Sequence, residues 1–431
     1  MEPFRWQRAS FLGLVSSAVS LAGLVIDTFV PVLLQAGHPL WRNTTGLHAP
    51  LVGFALAPSL AFFIMTWDNL LNIVVHPWAG VRSDHTWTRW GRRTPWILVG
   101  VPLAVTGLFA LPLAPTLLGV LGALLLTNLG RALFGPPMVA WLGDLFPAAQ
   151  RSQANAVVSL VSGVLAISVL ATSGVLFERV GRAAPFVLVA LGTVLLAGLG
   201  VLGVREPPPV RRLGDASPRV WVTLHHLLTS RPRPWRWLLV ALFLSAGARS
   251  MVETGSSSFA VFTLGMGLGD AAALRVVGVV ALLLGAVPSA LLAARLGRRP
   301  TVALGLLLVL LAYGATAVWV ATPVAYAVVL GVAGLGGALV LVNILPLVFD
   351  LGADTQFGTY TGLAAIPVQA AAVVGPSVAG LLVEATGSQR TLFGIAAVAM
   401  GIAWVLLQRV QVETVPRSVH PGQGPGHRPL G

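Results

Sequence analysis

The sequence predicts an all-α polytopic membrane protein with twelve transmembrane helices in two six-helix pseudo-repeats. Three observations predict it. The 431-residue chain is 56% hydrophobic and only 10% charged, with a mean hydropathy of +0.85, which is too apolar and too long for one soluble globular domain. Apolar windows of about 20 residues, the length that crosses ~30 Å of hydrocarbon, recur twelve times. The arginines collect on alternate sides of those windows.

The windows place spans at about 10–35, 50–78, 95–113, 116–144, 153–177, 184–204, 236–263, 273–294, 300–320, 323–349, 357–383 and 390–408. The N-terminal MEPFRWQR is short and basic, and the apolar run after it has no small-residue cleavage site, so it reads as a first span and not a signal peptide. The regions 95–144 and 300–349 each hold two spans joined by a very short turn, Pro112 to Pro115 and Thr322-Pro323. With the N-terminus inside, cytoplasmic segments hold 20 arginines. Outer loops hold five (Arg42, Arg179, Arg182, Arg275 and Arg390), and Arg131 and Arg249 fall within spans. That bias predicts both termini in the cytoplasm.

The longest connection, REPPPVRRLGDASPRVWVTLHHLLTSRPRPW, reads as a cytoplasmic linker, with VWVTLHHLL as an interfacial helix. Expected domains are therefore an N-terminal bundle at 1–204, the linker at 205–235, a C-terminal bundle at 236–410 and a disordered tail at 411–431. A shift of 206 residues lays Gly91-Arg92-Arg93 on Gly297-Arg298-Arg299, Asp144-Leu145 on Asp350-Leu351, Gln150 on Gln356, and Glu178 and Gly181 on Glu384 and Gly387. One shift that preserves four separated signatures argues for two related halves rocking about a midplane site.

Charge inside hydrocarbon marks the site. A carboxylate near mid-span costs roughly 2.5–3.5 kcal/mol on insertion scales, so Asp68 in the second span is a functional candidate by default. Steps of four residues advance ~40° around a helix, so Asp68, Asn72 and His76 form one polar stripe, with His76 read as serving packing near the cytoplasmic end. The embedded charges are Asp27, Asp68, Arg131, Arg249 and Glu253. Arg249 and Glu253, four apart, can pair locally, and Arg131 can find Asp68 or Asp27. Three carboxylates against two arginines leave one carboxylate to be neutralised by a proton. Asp68 is the preferred proton site, with Arg131 competing for it. Asp27, nearer the outer end of the first helix, is the second candidate, and the alternative for each acid is a static ion pair between helices.

Other function classes are excluded. There is no cysteine, hence no disulfide framework and no thiolate metal site. The net charge of +13 follows from positive-inside topology and not from nucleic-acid binding. No catalytic constellation, metal cluster or phosphate-cradling loop is present, so neither an enzyme nor a cofactor is expected.

Gly80-x-x-x-Asp84 followed by Arg89-x-Gly91-Arg92-Arg93 resembles the cytoplasmic loop signature of the major facilitator superfamily. The wide spacing, and the run Ser83-Asp84-His85-Thr86-Trp87-Thr88-Arg89-Trp90-Gly91-Arg92-Arg93-Thr94-Pro95, are similar to the version in sucrose/proton symporters and the related glycoside–pentoside–hexuronide cation symporters. Residues 131–155, with Arg131, Asp144, Arg151 and Ala154-Asn155, resemble the same group. So do Val252-Glu253-Thr254, Asn343 with Pro346, and Gly358-Thr359-Tyr360-Thr361-Gly362 with Gln369 and Gly375-Pro376. His85 departs from it, standing where that group often has arginine.

The resemblance implies a major facilitator fold and proton-coupled symport of a sugar or glycoside across a plasma membrane by a monomer. It also implies a conformational latch at Gly80, Asp84, Arg89, Gly91, Arg92, Arg93, Asp144 and Arg151. Gly80 would allow close helix approach, and Asp84 would accept bonds from a helix N-terminus and from arginine. Sugar hydroxyls need convergent amides and an aromatic face, for which Trp67, Asn69, Asn72, Asn128, Asn343 and Gln369 are the mid-span candidates. Individually these are weak, because an amide in a membrane helix bonds a neighbouring helix about as often as a ligand. A proton-driven exporter of amphipathic compounds and a non-transporting sensor remain as alternatives.

Overall fold

The computed structural model describes residues 4–41, 53–86, 88–204, 206, 233–350 and 357–410. The side chains at 349–350 and 357–363, the linker at 207–232 with its expected interfacial helix, and the tail from 411 lie outside what is described. Twelve helical segments among the described residues are long and apolar enough to cross a membrane. In chain order the helices are α1 (Trp6–Gln35), α2 (Pro58–Ile64), α3 (Trp67–His85), α4 (Thr94–Ala110), α5 (Leu117–Leu145), α6 (Ala148–Arg179), α7 (Ala184–Gly203), α8 (Arg233–Phe262), α9 (Leu268–Leu296), α10 (Arg298–Val318), α11 (Pro323–Asp350), α12 (Phe357–Thr386) and α13 (Arg390–Gln408).

The second span differs from the expected 50–78. It runs Pro58–His85 and is broken between α2 and α3. At the break Thr66 Oγ1 donates to Phe63 O (2.8 Å), and Asp68 Oδ1 accepts from the Asn69 backbone N–H (2.7 Å). Short polar side chains here offer the backbone an alternative to continuous helix. The break leaves Asp68 in the first turn of α3, at the positive end of its dipole, and draws Gly80 and Asp84 into the helix.

The repeat is carried by turns and helix contacts. Thr116 Oγ1 caps α5 by accepting from Gly119 N–H (3.2 Å), and 206 residues later Thr322 Oγ1 accepts from Ala325 N–H (3.2 Å) at the start of α11. The α4–α5 pair meets at Gly100 and Gly130, where a Cβ on Gly130 would stand 2.4 Å from the Ala104 nitrogen. The α10–α11 pair meets at Gly305 and Gly336, where a Cβ on Gly336 would stand 2.9 Å from Gly305 O. Small residues let helix backbones approach this closely. Gly130→Leu is therefore expected to cost roughly 1–3 kcal/mol by overpacking, read as a lower unfolding temperature of the purified protein. Gly122→Leu, whose Cβ meets nothing within 4 Å, is the control.

Helices α1–α7 pack among themselves, as do α8–α13, and the two groups join through α6 with α9, α2 with α12 and α1 with α8. They seal at the end opposite Gly91-Arg92-Arg93. There Gln35 Nε2 donates to Ser258 Oγ and Gln389 Nε2 donates to Gln35 Oε1 (both 3.0 Å). Trp41 stacks on Phe262 at 5.1 Å, the Ser59 N–H reaches Glu384, and the Gly269 N–H reaches Glu178.

Candidate functional site

A cavity of about 590 Å³ lies within the first half, between this seal and the arginine-rich end. Ser16, Val19 and Ser20 of α1, Asp68, Asn72 and His76 of α3, and Asn128 and Arg131 of α5 line it. The polar stripe read from the sequence thus faces one space, with His76 in it as well. Arg131 Nη1 stands 3.9 Å from Asp68 Oδ2 and 3.1 Å from Asn128 Oδ1, and its Nε donates to Val19 O (3.2 Å). Gly23 makes room for the guanidinium, since a Cβ there would stand 2.5 Å from Arg131 Nη2. The Asp68 pair is at the outer limit of an ion pair, and Arg131 is fixed mainly by its neutral partners.

Arg275 corrects the count of charges. Its position, eight residues inside α9, is not an outer loop: Nη1 donates to Asp27 O (3.2 Å) and Thr28 Oγ1 (3.0 Å) of α1. Three central arginines face three central carboxylates, and no surplus acid follows from counting. The Asp27 carboxylate makes no hydrogen bond or ion pair among the described residues. It lies within electrostatic reach of Asp68, Arg131, Arg275 and Glu253. Arg249 and Glu253 pair along α8 as expected and remain 40% and 49% exposed, facing open space and not protein.

A second cavity, of about 300 Å³, lies within the other half, and Leu24 of α1 contributes to its wall. Arg249, Glu253 and Arg275 line it together with largely aliphatic side chains such as Leu282, Val309 and Ile344.

At the arginine-rich end, Arg92 and Arg93 both bind Asp144, Arg93 through Nε at 2.9 Å. Arg93, 3% exposed, also reaches Asp84 (2.6 Å) and Ser83 Oγ. The N-terminus of α4 is capped by Glu206 and not, as expected, by Asp84. The Glu206 carboxylate accepts from the backbone N–H groups of Arg92 (2.6 Å), Arg93 (3.0 Å) and Thr94 (2.9 Å). Gly91 adopts φ +104°, and a Cβ there would fall 2.4 Å from that carboxylate, so both backbone and space demand glycine.

Three expected latch residues take other roles. Arg89 lies over the Trp90 ring at 4.8 Å. Arg151 donates to Phe146 O (3.1 Å) and Gly143 O (3.0 Å), closing the end of α5. Gly80 does not mediate close approach, since a Cβ there would meet Pro136 at an ordinary 3.9 Å.

A family model described as MFS/sugar transport protein matches residues 11–407. The chain belongs to this family. No curated protein matches it. Similar solved structures include a mutant of the nucleoside transporter NupG, with TM-score 0.70 and 13% identity over 94% of this chain and 98% of that one. A POT family transporter in complex with 5-aminolevulinic acid has TM-score 0.71 and 13% identity over 94% and 95%. A bacterial homologue of the human lysosomal transporter Spinster, inward-facing and unoccupied, has TM-score 0.64 and 16% identity over 95% of each chain. At these identities the likeness is one of fold.

In this chain, two of the six expected ligands, Asn72 and Asn128, line the polar cavity, the latter already bonded to Arg131. Trp67, Asn69 and Gln369 line neither cavity described above. Asn343 is buried and ties α11 to α9, donating to Ser289 Oγ (2.7 Å) and Leu339 O (2.9 Å), which is the helix-bonding role open to any membrane amide. The sequence reading missed Arg275 and Glu206. An arginine just inside the start of an apolar window, and a lone acid just past the sixth span, were the available signals.

Proposed function

We propose that this chain is a proton-coupled symporter that moves a sugar or glycoside into the cell by alternating access, as a monomer in the plasma membrane with both termini cytoplasmic. The observation that carries the reading is the stretched Asp68–Arg131 pair in a hydroxyl- and amide-lined cavity. A proton on Asp68 removes its attraction for Arg131, whose N–H groups then turn to substrate hydroxyls. Asn72 and Asn128 supply further bonds. Loss of the proton at the other side restores the pair and weakens the hold on substrate, so proton and sugar leave together. The arginine-rich end would face the cytoplasm, which makes the described conformation inward-open.

The test is uptake of labelled sucrose, maltose and smaller glycosides into proteoliposomes, with an inward proton gradient imposed and then collapsed by an ionophore. Uptake above equilibrium that disappears on collapse is the expected result. Net efflux of amphipathic compounds under the same gradient, with no sugar uptake, would replace this reading with the exporter.

A further inference from the structure

Pro31 interrupts α1 where that helix meets the second half. A proline has no N–H, so the Asp27 carbonyl, four residues earlier, loses its donor within the helix. A carbonyl freed in this way inside a membrane must be satisfied by a neighbouring helix or a hydroxyl. Arg275 supplies the donor from α9. Its Nη1 donates to Asp27 O (3.2 Å), to Thr28 Oγ1 (3.0 Å) and to Ser257 Oγ of α8 (3.5 Å). One turn beyond Pro31, Gln35 Nε2 donates to Pro31 O and to Ser258 Oγ of α8 (both 3.0 Å). The second half therefore holds α1 on both sides of its proline.

We propose that Arg275 is a state-dependent clasp, which binds the carbonyl freed by Pro31 only while the seal is shut and so weights the carrier toward the described conformation. This rests on alternating access and not on the identity of the substrate. Helices α1 and α9 belong to different halves, and the halves must part at the seal for the site to open there. Both partners then exchange each other for water, so the bond is made in one state and lost in the other. The acceptor is the main-chain oxygen of Asp27 and not its carboxylate. The clasp therefore forms whether or not that acid carries a proton.

The chain has no cysteine, so Leu118→Cys and Val324→Cys provide two label sites without other changes. Both residues are exposed (79% and 76%) and stand at the starts of α5 and α11, in opposite halves at the sealed end. The experiment is the distribution of distances between spin labels there, read by pulsed electron resonance on the full chain in lipid nanodiscs without substrate. Arg275→Leu should raise the ratio of long to short distances about tenfold or more, the worth of a bond from a charged donor. Arg275→Gln, whose amide is too short to reach α1 but stays polar, should do the same and guards against a fold defect in the first variant. Pro31→Ala returns an N–H to the Asp27 carbonyl, so in that background Arg275→Leu should shift the ratio less than about threefold. A lower unfolding temperature with unchanged distances would make Arg275 a static brace and overturn the clasp. Equal shifts with and without Pro31 would overturn it too, because the freed carbonyl would then not be what Arg275 holds. Either result leaves sugar symport standing, which the uptake assay decides separately.

Discussion

Asp68→Asn is expected to abolish gradient-driven accumulation while sparing exchange. A proton gradient of one pH unit is worth about 1.4 kcal/mol, enough at one proton per substrate for roughly tenfold accumulation. The variant should equilibrate substrate to a ratio near one whatever the gradient. An amide at this position mimics the protonated acid, so Arg131 stays released, and counterflow of labelled for unlabelled substrate continues. A purely structural ion pair predicts a different outcome, in which both activities fall together with the amount of folded protein. Accumulation intact in Asp68→Asn would move the proton to Asp27, whose carboxylate lacks a direct partner and stands among charges of both halves.

Arg93→Gln should be the most destabilising change at the arginine-rich end. Removing a buried cation strands its acids at a cost of 3–5 kcal/mol in general, and here roughly 3 kcal/mol, because Arg92 still serves Asp144 and Asp84 is 54% exposed. Asp84→Asn, by contrast, should cost less than about 1 kcal/mol, as exposed partners do. Thermal unfolding of the two variants side by side separates the readings. Equal losses would mean that Asp84, and not Asp144, anchors the cluster.

Much of the architecture was legible because hydrocarbon leaves the backbone so few options. Twelve apolar windows, the short turns at Pro112–Pro115 and Thr322–Pro323, and the Gly-Arg-Arg repeat all map onto observed elements. So does the polar stripe, because residues four apart on a helix share a face whatever surrounds it. What failed depends on neighbours. The break before α3 arises from competition between Thr66 and Asp68 side chains and the backbone, which hydropathy does not register. Arg275 sits near a span end in sequence, yet it reaches α1 because α9 enters at the seal. Asn343 looked like a ligand until its partner Ser289, 54 residues away, was in view. Glu206 belongs to the linker by composition and to α4 by contact.

The bonds that close the bundle share a property. The described ion pairs each join residues of a single half, whereas the bonds between halves unite neutral groups, or one charged group with a neutral one. Each can be exchanged for water at a net loss of about 1 kcal/mol between neutral groups and about 1.5–3 kcal/mol where one partner is charged. Bonds this short and this sheltered are screened little by dissolved salt. A carrier held shut in this way opens without first pulling apart a salt bridge between its halves.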